Sequence, residues 1–350
     1  MTEQSARDPK SPGTVSDLSE RDLIARIQQR LPAPPDWVLV GIGDDAAVVV
    51  PERNRVEVLS VDCVVDGVHF DRAFVPPDAI GHRALAVNLS DLAAMGATPR
   101  LALVSMALPG ALPIADFDGI ADGLSALAAR HATHIIGGNL TRTPGPLSID
   151  ITVMGTVKRR QALTRGGARA GDELYVTGSI GGAAEGLHIL RSTHHDPRSV
   201  IRDPQSALVE RYLRPAPRVR VGTLLARNRL ASACIDLSDG LAAAARQIAE
   251  ASAIAVALEA DALPIDPAAR DALAARQVDP VAEALTEGDD YELLFAVRPR
   301  LRRRLEAVLR HADVAVTRIG SCRSGSGATV ATTSGAGDAA PLPAGYGHFR

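Results

Sequence analysis

Three cysteines in 350 residues, Cys63, Cys234 and Cys322, with no Cys-x-x-Cys pair, leave no material for a disulfide framework or a thiolate zinc site. That usage fits a reducing cytosol, and a cytoplasmic location is expected. No unbroken apolar run approaches the ~20 residues that span a bilayer, so no membrane partner is expected. The stretch Met1 to Ser16 is polar and has no secretion-signal core, and residues 1–17 are expected to be disordered. A formal net charge of −3 provides no global basic field for nucleic acid. Two common phosphate-handling signatures are also missing. There is no Gly-x-x-x-x-Gly-Lys-Ser/Thr loop and no His-Arg-Asp with Asp-Phe-Gly set. Aromatics reach only 3%, so the core must be assembled from small aliphatics, and Trp37, Tyr291 and Tyr346 stand out individually.

What is present is an ordinary globular composition, 46% hydrophobic and 23% charged, long enough for two domains of ~100–200 residues each. A first helix is expected over Leu18–Leu31, capped by Ser16 or Asp17 and ended by Pro32, Pro34 and Pro35. Strand-like runs follow at Trp37–Val40, Ala46–Val50 (read as buried) and Val56–Val61. The spacing predicts a helix over Pro76–Met95, a strand over Leu101–Leu108 and a helix over Ile114–His131. A strand over Thr133–Ile136 should end in Gly137-Gly138-Asn139, followed by a strand at Leu147–Gly155. Arg159-Arg160 and Arg165-Gly166-Gly167 read as a hinge, dividing an N-terminal domain (18–158) from a C-terminal one (159–350).

In the second half, a strand at Asp172–Thr177 leads to helices after Gly182, over Pro204–Leu213 and over Pro217–Leu225. His194 and His195 read as a solvated loop, since adjacent side chains diverge and no third ligand is near. The arginine-rich helix Arg298–Arg310 reads as a solvated face, lacking any aromatic platform for nucleic acid. Ser321–Ala340, rich in Gly, Ser and Ala, reads as loop.

The informative feature is a recurrence of acids. Gly41-Ile42-Gly43-Asp44-Asp45 places adjacent carboxylates on a glycine-bracketed turn. Ser60 and Asp62 fall near the end of a strand, and Asp91 shares the apolar face of its helix with Ile80, Ala84 and Val87. Asp236 ends another strand and Asp239 opens a helix. A carboxylate on an apolar helical face is costly unless paired or metal-bound. Acids without partner lysines favour several Mg²⁺ ions over salt bridges. Asp44 stays open between ligand and turn former. Several divalent ions suit the joining of charged phosphates, because phosphoryl transfer needs positioning and neutralisation more than covalent help.

The motifs, taken together, resemble the thiamine-monophosphate kinase family of the aminoimidazole-ribonucleotide synthetase-like superfamily. They are Gly-Ile-Gly-Asp-Asp-Ala-Ala (41–47), Gly67-x-His69-Phe70, the run Arg83 to Ala97, Leu163-Thr164-Arg165, Ile235 to Leu241, Asp290 to Phe295 and the closing Gly-Tyr-x-His-Phe. The resemblance spans roughly 18–349 in the family's order. It implies a two-domain α/β and α+β fold, with an N-terminal sheet that pairs across a homodimer. It implies transfer of a phosphoryl group from ATP to thiamine monophosphate, with Mg²⁺ and without a protein nucleophile. Carried over residue by residue, Asp45, Ser60, Asp62 and Asp91 match magnesium ligands, as do Asn139, Asp236 and Asp239. Gly138, Asn139, Arg165 and Ser238 match ATP contacts. His69, Asp289 and Tyr346 match the thiamine-phosphate site.

Departures exist: Asn139 stands for a common Asp, Val61 for a Thr, and Asp289 for a Glu. Ala244 to Gln247 replaces a common Asp-Leu-x-His, and Gly347 an acid. The altered residues keep open a related ATP-dependent synthetase or a non-catalytic nucleotide-binding homologue. The first is disfavoured by the lack of an N-terminal catalytic Cys.

Overall fold

A computed structural model of the chain describes residues 13–193, 203–312, 314–331 and 339–344. The chain forms two compact units. One comprises Met1–Val50, Asp62–Leu85 and Ala102–Ile151, the other Pro51–Val61, Ala86–Leu101 and Thr152–Arg350. The elements that come first are α1 (Glu20–Gln28), β1 (Val38–Val40), β2 (Val48–Val49), β3 (Arg55–Val65), α2 (Pro77–Ala94), β4 (Thr98–Pro109), α3 (Ile114–Arg130), β5 (His134–Thr143) and β6 (Ser148–Lys158). β3, α2, β4 and β6 each run from one unit into the other. The four long strands form a sheet in the order β3-β6-β4-β5. No helix among the described residues is long and apolar enough to cross a membrane.

In the first unit, α1 starts later than the sequence suggests. Its cap is Ser19, whose hydroxyl accepts the Asp22 N–H at 3.3 Å while the Asp22 carboxylate accepts the Ser19 N–H at 3.0 Å. This reciprocal box satisfies two orphan donors, which neither Ser16 nor Asp17 does. Residues 13–17, within the stretch expected to be disordered, make a short 3₁₀ turn with Val15 buried and its N–H on Leu112 O at 2.9 Å. Residues 1–12 lie outside the described residues. The run Ala46–Val50 is not a buried strand: only Val48–Val49 pairs, and Val48 and Val50 are 48% and 45% exposed. A two-stranded hairpin has no second layer to cover both faces. β5 does not stop at Gly137 but continues to Thr143. Gly138 makes this possible, since a Cβ there would sit 1.8 Å from the Val104 carbonyl oxygen of β4.

The second unit adds β7 (Glu173–Thr177), α4 (Gly182–Thr193), α5 (Asp203–Leu213), α6 (Val219–Arg227), β8 (Ala231–Asp236), α7 (Leu241–Ser252) and β9 (Ala255–Glu259). It closes with α8 (Pro267–Ala275), α9 (Pro280–Thr286), β10 (Leu293–Val297), α10 (Arg302–Leu309), β11 (Val316–Arg323), β12 (Gly327–Ala331) and β13 (Ala340–Pro341). The sheet order is β13-β12-β9-β11-β7-β10-β8, antiparallel except where β12 meets β9. Both faces are covered, and the alternation along each central strand shows it. Leu174 and Val176 enter one core with α7, while Tyr175 enters the other with α6, stacked on Phe295 at 5.8 Å. Ser321–Ala340 is therefore no simple loop. The glycines at 325 and 327 adopt φ of 113° and 89° and make the turn, while the flanking residues pair as β11 and β12. His194, His195 and Tyr346 lie outside the described residues.

Candidate functional site

The best-defined chemistry in the second unit lies where β8 ends and α2 faces it. Ser60 of β3 donates its hydroxyl to the Asp91 carboxylate. One position earlier on α2, Ser90 Oγ donates to Asp236 at 2.7 Å, with both side chains buried. Burial pushes the Asp91 carboxyl above the ordinary carboxylate range, partly offset by the Ser60 hydroxyl and the Arg165 charge. Oxygen donors held this way suit a hard divalent cation and no thiophilic one. No group of three or more His, Cys, Asp or Glu side chains gathers as a metal site among the described residues. Mg²⁺ does not require one, because it is commonly held by one or two carboxylates with the substrate's phosphates completing its shell.

Arg165 rides on a tethered segment. The Cys234 N–H donates to Thr164 O at 2.9 Å, and Ser252 Oγ accepts from the Gly167 and Ala168 amides at 3.2 and 3.1 Å. Arg165 is exposed, and its guanidinium is a suitable fork for phosphate oxygens. Beyond β8, Ser238 is exposed and Asp239 half-buried, ahead of Gly240 at φ 90°. A Cβ on Gly240 would fall 2.7 Å from Glu287 O, and one on Gly288 would fall 2.1 Å from Ser238 O. The 237–240 and 286–292 loops therefore lie back to back, and only glycine allows it. Asp289 donates its N–H to Ser238 O at 2.9 Å, and the Tyr291 hydroxyl donates to Asp289 Oδ1 at 3.3 Å. The substituted segment 244–247 has a role as well: Arg246 donates to the carbonyls of Leu342 and Pro343, anchoring the chain just before its closing motif.

In the first unit, Asp45 is exposed, and its N–H donates to Asp44 Oδ1 at 2.8 Å. Asp44 is thus a turn former. Asp62 is exposed near the end of β3. His69 Nδ1 accepts the Val65 N–H at 3.1 Å, so the neutral ring carries its proton on Nε2. Gly138 and Asn139 are exposed within β5 rather than in a loop.

Sequence reasoning missed Ser90, a serine inside a helical run with no periodic signal of its own. It also missed Arg211 and Arg218. Glu292 is fully buried and receives a bidentate pair from Arg218, with Nε to Oε2 at 2.6 Å, and the Thr177 hydroxyl at 2.5 Å. Asp290 accepts the Gly181 N–H at 2.7 Å; burial pushes its carboxyl up to about 6 against the opposing pull of Arg211 and those amides.

Comparison with known proteins places these residues in a wider context. Residues 43–157 match AIR synthase related protein, N-terminal domain, and residues 169–331 match its C-terminal domain. The chain is 40% identical over 307 residues to the thiamine-monophosphate kinase of Escherichia coli K12, covering 86% of this chain and 89% of that one. It is 33% identical over 333 residues to that of Bacillus subtilis 168, covering 95% and 100%. The crystal structure of thiamine-monophosphate kinase from Stenotrophomonas maltophilia K279a superposes with a TM-score of 0.80 at 40% identity, covering 89% and 96%. AaThiL complexed with AMPPCP and TMP superposes with a TM-score of 0.72 at 28% identity, covering 93% and 97%.

Proposed function

The chain belongs to the thiamine-monophosphate kinase family within the AIR synthase related proteins, and on that premise we propose that it transfers the γ-phosphoryl group of ATP to thiamine monophosphate, giving thiamine diphosphate and ADP. The observation that carries the reading is the pair of hydroxyl-held carboxylates on or facing α2, Ser60–Asp91 between β3 and α2 and Ser90–Asp236 between α2 and the end of β8.

Asp91, Asp236 and Asp239, with the Ser60 hydroxyl, supply oxygen ligands for Mg²⁺ in the second unit, and Asp45, Asp62 and Asn139 do so in the first. Mg²⁺ held by these residues would supply neutralisation of phosphate charge. Arg165 forks onto ATP phosphate oxygens, with Ser238 and the Gly138 backbone as further ATP contacts. His69, Asp289 and Tyr346 bind thiamine monophosphate. An aspartate carboxylate can accept from an aminopyrimidine, and an aromatic ring can stack on it. The acceptor phosphate oxygen attacks the γ-phosphorus while the bond to the β-phosphate oxygen breaks, so no protein nucleophile is needed. Residues 18–158 serve as the ATP/Mg domain and 159–350 as the C-terminal domain of this reading, and the enzyme acts in the cytoplasm.

A homodimer belongs to the same reading. β3 is an edge strand of eleven residues, and its odd-numbered face leaves Leu59 and Val61 61% and 58% exposed. A long apolar edge of this kind is covered in stable proteins, and a second copy's sheet is the fitting cover. Leu59→Glu should convert the dimer to monomer by light scattering.

The test of function is an ADP-release assay with purified protein, ATP and Mg²⁺, offering thiamine monophosphate, thiamine or an aminoimidazole ribonucleotide precursor. ADP release with thiamine monophosphate alone is expected. Release only with the precursor, or turnover undiminished in Asp91→Ala, would sink the reading.

A further inference from the structure

Two residues of the turn before β10 have backbones that L side chains rarely adopt. Asp289 has φ 69° and Tyr291 φ 49°, two non-glycine left-handed residues within three positions. Such a conformation persists only where the surroundings over-determine it. Part of the restraint is main-chain: Tyr291 N–H donates to Leu237 O at 3.0 Å, and Leu237 N–H donates to Glu292 O at 2.8 Å.

The rest comes from side chains that touch neither ATP nor acceptor in the reading above. Arg218, just before α6, grips the fully buried Glu292 with both arms of its fork. Arg211, on α5, lies 3.8 Å from both Asp290 and Glu292, and 3.5 Å from Asp266. Its own position is set by Ser179, whose hydroxyl oxygen accepts from Nη1 at 2.7 Å and whose carbonyl accepts from Nη2. Glycine makes room for both carboxylate-side and guanidinium-side contacts. A Cβ on Gly178 would fall 2.0 Å from Glu292 Oε1, and one on Gly182 would fall 2.5 Å from Arg211 Nε. Asp290 and Glu292 flank Tyr291, and Asp290 follows Asp289 directly, so fixing the two acids fixes the residues between and beside them.

We propose that Arg211 and Arg218 are positioning residues: by clamping Asp290 and Glu292 they hold the left-handed Asp289–Tyr291 turn against the Ser238–Asp239 loop, setting the acceptor-binding end of the site relative to its phosphate-binding end. The proposal rests on the kinase reading for its kinetic consequence, and on the fold alone for its mechanical one. The clamp determines acceptor affinity without touching the acceptor. A guanidinium fork is needed because two parallel bonds to one carboxylate fix orientation, which a lysine's single point charge does not.

The experiment compares wild type, Arg218→Gln, Arg218→Lys and Arg211→Gln by steady-state kinetics and by amide hydrogen exchange, with circular dichroism as the check of folding. For Arg218→Gln, the KM for thiamine monophosphate should rise about tenfold while the KM for ATP stays within about twofold. Arg218→Lys should recover part of that loss. Exchange of amides 286–292 should quicken at least about tenfold while β7 and β10 stay protected. Unchanged exchange at 286–292 in folded variants overturns the clamp. So does an equal rise in both KM values. If Arg218→Gln fails to fold, Thr177→Val, which removes the hydroxyl that donates to Glu292 and accepts the Leu293 N–H, carries the same two readouts, with the Leu293 amide left out of the exchange comparison. Wild type lacking turnover defeats the kinase reading, and exchange then decides the clamp on its own.

Discussion

Ser90 and Asp236 are 146 positions apart in the chain, yet the serine hydroxyl donates to the buried carboxylate at 2.7 Å. This one bond registers the end of β8 against α2, where Asp91 follows at the next position. A hydrogen bond to a charged group contributes about 1.5–3 kcal/mol, and removing the donor leaves the carboxylate to find another partner. Ser90→Ala is therefore expected to destabilise the protein by about 2 kcal/mol in urea unfolding. Turnover should fall by more than stability explains, since Asp236 loses its fixed orientation. Ser90→Thr, which retains the hydroxyl, should restore both.

Asp290 makes a pH prediction. Its carboxyl is raised from 3.8 to about 6, chiefly by burial, with Arg211 pulling the other way. A raised folded-state value favours the protonated form in the native protein. Its stabilising contribution is fully present below about 3.8, the unfolded value, and is lost as pH rises through about 6. The gap corresponds to about 3 kcal/mol as an upper bound. In Mg²⁺-free buffer, the stability of wild type relative to Asp290→Asn should thus decline between pH 4 and 7. A flat difference across that window would show that Asp290 keeps its ordinary titration.

How much of this was legible beforehand depends on the range of the interaction. The long helices α2 and α3 are written in local periodicity, and they form as the spacing predicts. Asp91 was visible because a carboxylate on an apolar helical face is anomalous in a single helical wheel. Ser90, Arg211 and Arg218 were not visible. Each is an unremarkable residue for its element, and its meaning comes from a partner 74 to 146 positions away. The Gly-rich segment after Ser321 misled for the opposite reason, since its glycines serve one turn while β11 and β12 each take register from the distant strand β9 that lies between them.

Gly222 of α6 offers a test of how closely α2 must be held. A Cβ there would lie 2.0 Å from the Ala93 carbonyl oxygen and 2.8 Å from its carbonyl carbon. Backbone cannot yield as a flexible side-chain end can, so Gly222→Ala must push α6 away from the C-terminal turn of α2. Overpacking of this sort costs about 1–3 kcal/mol, and a lowered urea midpoint should report it. Because Asp91 lies two residues before Ala93, kcat should also drop. Thr223→Ala next to it, with its hydroxyl on its own helix's Arg220 carbonyl at 3.0 Å, should leave kcat unchanged.

Asp91 links stability to function with opposite signs. Burial raises its carboxyl above the ordinary range, and the Ser60 hydroxyl and Arg165 return only part of that cost. In its ionised form an unliganded Asp91 weakens the fold, because the contribution that favours the protonated form is lost as pH rises through the folded-state value. A cation bound to the carboxylate reverses that balance, since whatever binds only the native state stabilises it, by about 2.7 kcal/mol at a hundredfold excess over Kd. In EDTA at pH 7, Asp91→Asn should therefore melt at the same temperature as wild type or higher. With Mg²⁺ and a non-hydrolysable ATP analogue, wild type should gain several degrees and the variant much less, while its turnover falls at least about a thousandfold, comparable to the loss of one strong electrostatic contact to the transition state. An Asp91→Asn protein that melts lower in EDTA yet gains as much from Mg²⁺ and nucleotide would make Asp91 a structural acid and remove it from the site.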